Sequence, residues 1–426
     1  MRTAAERRDL GAAGMSGVVG IEALNVYAGL ARVPVREVVR GRGLDWSRFA
    51  GERVAHRSVA LPVEDPVTNA VNAAAPLLAT LDPQQRSRIE FLVTASESGL
   101  DLSKSLASTV HAQLGLDRRC RLLETKQACF AATAALQLAA GFVASGVSPG
   151  AKVLVIATDV ALADADAGYA EPVAGHGAVA MLIGDRPDVL ALDPGASGNH
   201  SFDVLDTARP GPELEIADPD TSLMAYLECL RGSVADYCDR VEGADVVRDF
   251  DLLAFHTPFT GMARAAHRAL LRQYGVRDAA AVTEDFERRV VPSLHYPAEV
   301  GNLFSGALYL ALASLVETAQ PTGPARVGLF SYGSGCSSEF FSGVTGPAAA
   351  RRLAGLGLRR RLDQRADLDF ATYQELVEAN RRCLVAERDR IVELDRWKDI
   401  LTRVPDRPET LVLTGIEGYR RHYAWI

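Results

Sequence analysis

Apolar positions along this chain alternate between continuous runs and helical stripes. The first clear helix start is LPVEDPVTNAVNAAAPLLATL. There Asp65 suits the cap, Pro66 suits the first helical position, and Val67, Ala70, Val71, Ala74, Leu77 and Leu78 share one face. IEFLVTASESG reads as a strand opening into a polar turn at 96–99, and RCRLLETK as a short extended stretch. Residues 128–145 are small or apolar on nearly every side, which predicts a helix enclosed by protein. AKVLVIATDVA, continuous and β-branched, predicts a fully buried strand.

The same grammar returns further on. DLLAFHTPFTGMARAAHRALLRQYG gives a strand, a His-Thr-Pro turn and an amphipathic helix. VGNLFSGALYLALASLVE gives a turn carrying Asn302 and a buried helix, and ARVGLFSYGSGCSSEFFSGV gives two strands around a glycine-rich turn. Strands alternating with buried helices argue for α/β layers. Element order, rather than any sequence repeat, suggests two similar halves at 16–190 and 241–350. Residues 191–240 read as their connection, with the Pro/Gly/Asp-rich 192–220 suited to a long surface excursion. Residues 1–15 read as a flexible tail. Residues 351–426 are charged and helical in period, as in a solvated outer layer.

Composition narrows the function classes. The 426 residues are 48% hydrophobic and 23% charged, as in a soluble globular enzyme. A net charge of −8 argues against nucleic acid as a partner. No apolar run is long enough for a membrane span, and no apolar leader is visible, which predicts a cytoplasmic protein. The six cysteines form no CxxC pair and no Cys/His metal spacing, so free thiols and no metal site are expected.

Four residues fall where a strand meets a helix, the edge at which layered α/β folds place their sites. Cys129 opens a helix, where unpaired N–H groups and the helix dipole favour a thiolate; equally, buried free cysteine is ordinary packing. His256 ends an apolar strand as a candidate catalyst or a structural histidine. Asn302 is a candidate ligand or a helix cap. Glu97 is a candidate acid/base or a first-turn carboxylate. Six blocks carry these residues in order: TASESGLDLSKS, ETKQACFAATAALQLAA, YAEPVAGHGAVAMLIG, FHTPFTGMARAAH, VGNLFSGALYLALASL and GLFSYGSGCSSEFF. Over nearly its full length the chain resembles the 3-hydroxy-3-methylglutaryl-CoA synthases of the thiolase superfamily. VGIEALNVYAGLARVPV, VALPVEDPVTNAVNAA and GSGCSSEFFSGV look most like the branch that adds a carbon branch in polyketide assembly.

That resemblance implies a five-layer αβαβα thiolase fold with a helical C-terminal extension, normally a homodimer. It implies Cys129 as acyl-accepting nucleophile, Glu97 as general acid/base and His256 as the group polarising the acceptor ketone. Asn302, Pro258, Tyr332, Gly333 and Ser334 would contact substrate. The substrates would be donor and acceptor acyl carrier proteins bearing phosphopantetheine thioesters, with no metal or redox cofactor. Arg264, His267 and Arg268 stand where relatives that use coenzyme A tend to carry lysines; they suit a carrier phosphate, or a solvated helix face. His176 stands where a small residue is expected, and Cys336 reads as structural or pocket-lining. The competing readings are a mevalonate-type synthase using acetyl-CoA and acetoacetyl-CoA, and a non-catalytic scaffold that binds carrier proteins.

Overall fold

The computed structural model describes residues 17–49, 53–162, 165–403 and 409–426. Nine strands form the frame: β1 (Gly20–Tyr27), β2 (Ile89–Ala95), β3 (Arg121–Thr125), β4 (Lys152–Asp159), β5 (Gly177–Gly184), β6 (Leu190–Ser201), β7 (Leu252–Phe255), β8 (Ala325–Gly333) and β9 (Ser337–Thr345). Their hydrogen-bonded order is β7-β8-β9-β6-β1-β5-β4-β2-β3. β1 meets β6 only through Gly20 and Ile21, so this sheet is two layers joined at a narrow seam.

Helices α1 (Pro66–Leu78), α2 (Leu106–Leu114), α3 (Ala131–Ala144), α4 (Pro219–Arg240), α5 (Thr260–Gln273) and α6 (Ala307–Ala319) complete the layers. Side-chain alternation along the strands assigns each face. Val153, Val155 and Ala157 of β4 pack with α3 and α6, as do Val327 and Leu329 of β8. Leu154 and Ile156 turn the other way, onto α1 and α2. Phe330 and Tyr332 pack with α4 and α5. The result is the αβαβα sandwich, with α3 and α6 as its central layer.

Local chemistry explains the helix ends. Asp65 and Thr68 cap α1 reciprocally, each side chain accepting from the other's N–H at 2.8 Å, with Pro66 at the first position. The second Asp65 oxygen accepts from Arg421 at 3.1 Å and Tyr423 at 2.9 Å, which ties the C-terminal segment to this helix. The central α3 is less enclosed than its composition suggests. Ala131, Ala132, Ala135 and Leu136 are buried, whereas Leu138 is 52% exposed.

Two segments depart from the expectations. Residues 190–201 are not surface excursion but a strand between β9 and β1, and 219–240 is a long helix; only the hairpin Thr207–Gly211/Leu214–Ala217 projects. Glycine and proline there mark bends of ordered chain. The last stretch is helical through Asn380 but ends in an antiparallel hairpin, Leu411–Glu417 with Arg420–Trp425. The charge of the surrounding stretch obscures a short apolar run, in which Leu411, Val412 and Leu413 are all buried. The expected tail at 1–15 lies outside the described residues. Among those that are described, no helix is long and apolar enough to cross a membrane.

Candidate active site

Cys129 sits in the turn 127–130 that leads into α3. The Phe130 N–H donates to Gln127 O at 3.0 Å and the Ala131 N–H to Ala128 O at 3.1 Å. Ala128 takes φ +44°, a sparsely populated region for a residue with a side chain. Gly333, at the end of β8, lies against this turn: a Cβ there would come within 2.5 Å of both Gln127 O and Phe130 N. The glycine-rich turn therefore rests directly on the turn of the cysteine.

Glu97 and Asp159 come from the ends of neighbouring strands. Asp159, 1% exposed at the end of β4, accepts from the Glu97 N–H (2.9 Å), Ser96 Oγ (3.0 Å), Ser98 Oγ (3.0 Å) and the Ser305 N–H (3.1 Å), and from Ser305 Oγ. These bonds fasten the Glu97 turn to the segment after Asn302. Arg209 reaches in from the projecting hairpin. Its Nη1 donates to Glu97 O at 3.1 Å and Ser98 Oγ at 3.2 Å, its Nη2 to Glu215 Oε2 at 3.0 Å, and its guanidinium lies 5.7 Å from the Phe304 ring centre.

The electrostatics overturn the expected thiolate. Burial first, then the carboxyls of Glu97, Asp159 and Glu215, hold the Cys129 thiol well above its ordinary range, and Arg209 opposes them. The start of α3 does not outweigh that desolvation. Burial likewise pushes the Glu97 carboxyl up to about 8; Arg209 pulls it down, while Asp159 and Glu215 push it further up. Asp159 is also raised by burial, against the hydrogen bonds it accepts.

His256 follows β7 and is 2% exposed. Its N–H donates to Phe330 O at 2.7 Å, its carbonyl accepts from Tyr226 Oη at 2.8 Å, and its ring lies 6.5 Å from Tyr226 and 6.4 Å from Tyr332. Burial alone takes the imidazole down to about 3, so it is neutral. Tyr332, one residue before Gly333, connects this ring to the cysteine's turn. Its hydroxyl donates to Asp206 Oδ2 at 2.7 Å, and the Gly335 N–H donates to Asp206 Oδ1 at 2.9 Å, which holds the turn containing Ser334.

The remaining candidates divide. Asn302 Oδ1 accepts from the Phe304 N–H at 2.8 Å, and its backbone pairs with Val173 and Gly175, so it shapes the turn leading to Ser305 and α6. Pro258 lines a shallow cleft with Thr257, Phe259, Val173 and Gly301. Cys336 is buried with its sulfur 3.4 Å from that of Cys229. His176 is accommodated beside Gly29, where a Cβ would come within 2.9 Å of its ring, and its Nδ1 lies 3.3 Å from Asn69 Nδ2. His267 leaves the set of carrier contacts: it is fully buried and hydrogen-bonds Asp285 at 2.6 Å. Arg264 and Arg268 are exposed on the same helix, Arg264 lying over Phe286.

Sequence reasoning missed Asp159, Asp206, Arg209 and Tyr226. Asp159 carried a signal, a carboxylate ending an otherwise apolar strand. Arg209 and Asp206 sit in chain that read as excursion, and nothing local marks them.

The comparisons bear on these blocks. The hydroxymethylglutaryl-coenzyme A synthase N-terminal model matches residues 17–188, and the C-terminal model residues 271–425. The polyketide biosynthesis 3-hydroxy-3-methylglutaryl-ACP synthase PksG of Bacillus subtilis is 43% identical over 417 residues, covering 96% of this chain and 99% of that protein. The hydroxymethylglutaryl-CoA synthase of Enterococcus faecalis is 33% identical over 361 residues, covering 84% and 91%. The HMG synthase of the curacin biosynthetic pathway, solved in complex with acetyl donor-ACP, matches with a TM-score of 0.93 and 41% identity over 96% of this chain and 100% of that one. Fold and sequence together define a thiolase-fold, acyl-transferring enzyme that forms carbon–carbon bonds. The chain belongs to the hydroxymethylglutaryl-CoA synthase family.

Proposed function

We propose that this enzyme is a 3-hydroxy-3-methylglutaryl-type synthase of polyketide β-branching. It takes acetyl from an acetyl carrier protein onto Cys129 and adds it to the β-ketone of a second, carrier-bound acyl chain. The observations that carry this reading are that Asp159 fastens the Glu97 turn, that the glycine-rich turn is seated on the turn of the cysteine, and that the Glu97 and Asp159 carboxyls both raise the Cys129 thiol.

In the first step the Cys129 sulfur attacks the acetyl carbonyl, the new S–C bond replaces the carrier's, and the carrier leaves as its thiol. The Cys129 proton has to move, because the resting thiol is protonated. Glu97, with its carboxyl near 8, is about one-tenth ionised at pH 7 and can take and return that proton. Glu97 carboxylate then removes a proton from the acetyl methyl. The enolate carbon adds to the ketone carbon, and the ketone oxygen acquires a proton as it becomes a hydroxyl. His256, neutral throughout, donates an N–H to that oxygen without bringing charge into an apolar wall. The oxyanions are stabilised by N–H groups of the Cys129 turn and the turn 333–336 other than those of Phe130, Ala131, Gly335 and Cys336, which already donate within the protein. Water finally cleaves the thioester, releasing a carboxylate and restoring the thiol.

Carrier protein rather than free coenzyme A is favoured by the relatives. PksG and the curacin enzyme are 43% and 41% identical to this chain, against 33% for the Enterococcus synthase. Exposed Arg264 and Arg268 suit the phosphate of a carrier's phosphopantetheine arm. A homodimer is supported by β3, an edge strand whose Leu122 and Leu123 are exposed, and by Leu138 of α3, which is exposed as well.

The test offers acetyl carrier protein and acetyl-CoA separately and follows the mass of the Cys129 peptide, with Cys129→Ala as control. Rapid acetylation from the carrier and slow acetylation from coenzyme A is expected. The reverse favours the mevalonate-type reading, and no acetylation from either favours the scaffold.

A further inference from the structure

We propose that Arg209 is a positioning residue for Glu97 and that Glu215 is its counterweight, so that the hairpin at 207–217 sets the pH at which condensation begins. This rests on the proposed function, in which Glu97 is the base.

The hairpin is an unusual place to find such a residue. Leu214, Glu215 and Ile216 face water on its second strand, yet the Arg209 side chain is only 13% exposed. It spends its donors on the Glu97 carbonyl, Ser98 Oγ and Glu215, and stacks over Phe304 beside the Asp159 network. Desolvating a guanidinium is costly unless it is paired and hydrogen-bonded, and this one is both. The arrangement fixes the backbone from which the Glu97 carboxyl projects and brings a cation to it.

The charges around that carboxyl come from several elements. Arg209 and Glu215 belong to the hairpin, Asp159 to β4 and Cys129 to the turn before α3; Glu124 of β3 stands beside Gly99. Arg209 favours the carboxylate; Asp159 and Glu215 disfavour it. Removing the cation should therefore raise the proton affinity of Glu97, and removing the Glu215 charge should lower it. Two substitutions on one hairpin thus move the same titration in opposite directions, which a merely structural role would not produce.

The experiment measures condensation between acetyl-loaded and acetoacetyl-loaded carrier proteins from pH 6 to 9, and Cys129 acetylation in parallel. Arg209→Gln should move the rising limb up by about one pH unit, a loss of about tenfold at pH 7. Glu215→Gln, on an exposed strand that should tolerate it, should move the limb down, and Arg209→Lys should restore much of the wild-type profile. Limbs that stay put while rates fall equally at every pH, or that move in the same direction, overturn the inference while wild-type acetylation leaves the function standing. Absence of acetylation in the wild type overturns both.

Discussion

In the N-terminal half the turn before α3 carries Cys129 into a group of carboxyls and one guanidinium. In the C-terminal half the residue after β7 carries His256 into a set of aromatic rings. Burial dominates on both sides with opposite sign: it raises the acids and lowers the base, so thiol, carboxyl and imidazole are all predominantly uncharged near pH 7. Of these three groups Glu97 alone titrates near neutral pH. The C-terminal side is a fixed dipole. His267, eleven residues on, shows that burial alone does not define a catalytic histidine. It is as buried as His256 and lies 5.5 Å from the Phe286 ring, but its own ring is held by Asp285, whereas the hydrogen bonds of His256 run through its backbone.

This contrast predicts unequal responses to substitution. His256→Gln should lower condensation by about 10²-fold or more, and most strongly at low acceptor concentration, while Cys129 still acetylates. Because the imidazole lies near 3, the wild-type condensation profile should contain no histidine limb between pH 5 and 7; activity should instead rise with pH through about 8 as Glu97 ionises. A limb near 6.5 that His256→Gln removes would erase the distinction between the halves.

Gly333→Ala addresses the seam where the halves meet. Its Cβ would come within 2.5 Å of two backbone atoms of the cysteine's turn, so the turn must shift. Acetylation and condensation should both fall about tenfold, with a stability loss of about 1–3 kcal/mol, read by initial rates and urea unfolding. An unchanged acetylation rate would mean that the glycine-rich turn does not seat the nucleophile.

Much of this was legible in the chain. Asp65-Pro66 marked the start of α1, the run at 152–159 marked a buried strand, and Cys129, Glu97, His256 and Asn302 all lie at strand ends or helix starts. Period and punctuation are local, so local reading finds them. The ionisation of Cys129 was not legible, because it depends on charges brought from residues 97, 159, 209 and 215 by folding. Nor was the fate of His267, whose partner lies on another helix. Arg209 escaped notice because proline and glycine beside it read as loop, and a hairpin that reaches back over a site leaves no periodic trace.

The central claim is that Cys129 and Glu97 divide the work, one holding the acetyl group and the other making it a nucleophile. Glu97→Gln, mixed with acetyl carrier protein and an acetoacetyl-loaded acceptor carrier and followed by mass spectrometry of the Cys129 peptide, separates the two roles. The account predicts that acetyl-Cys129 accumulates while the branched product falls by about 10³-fold. Branched product formed at the wild-type rate would contradict it.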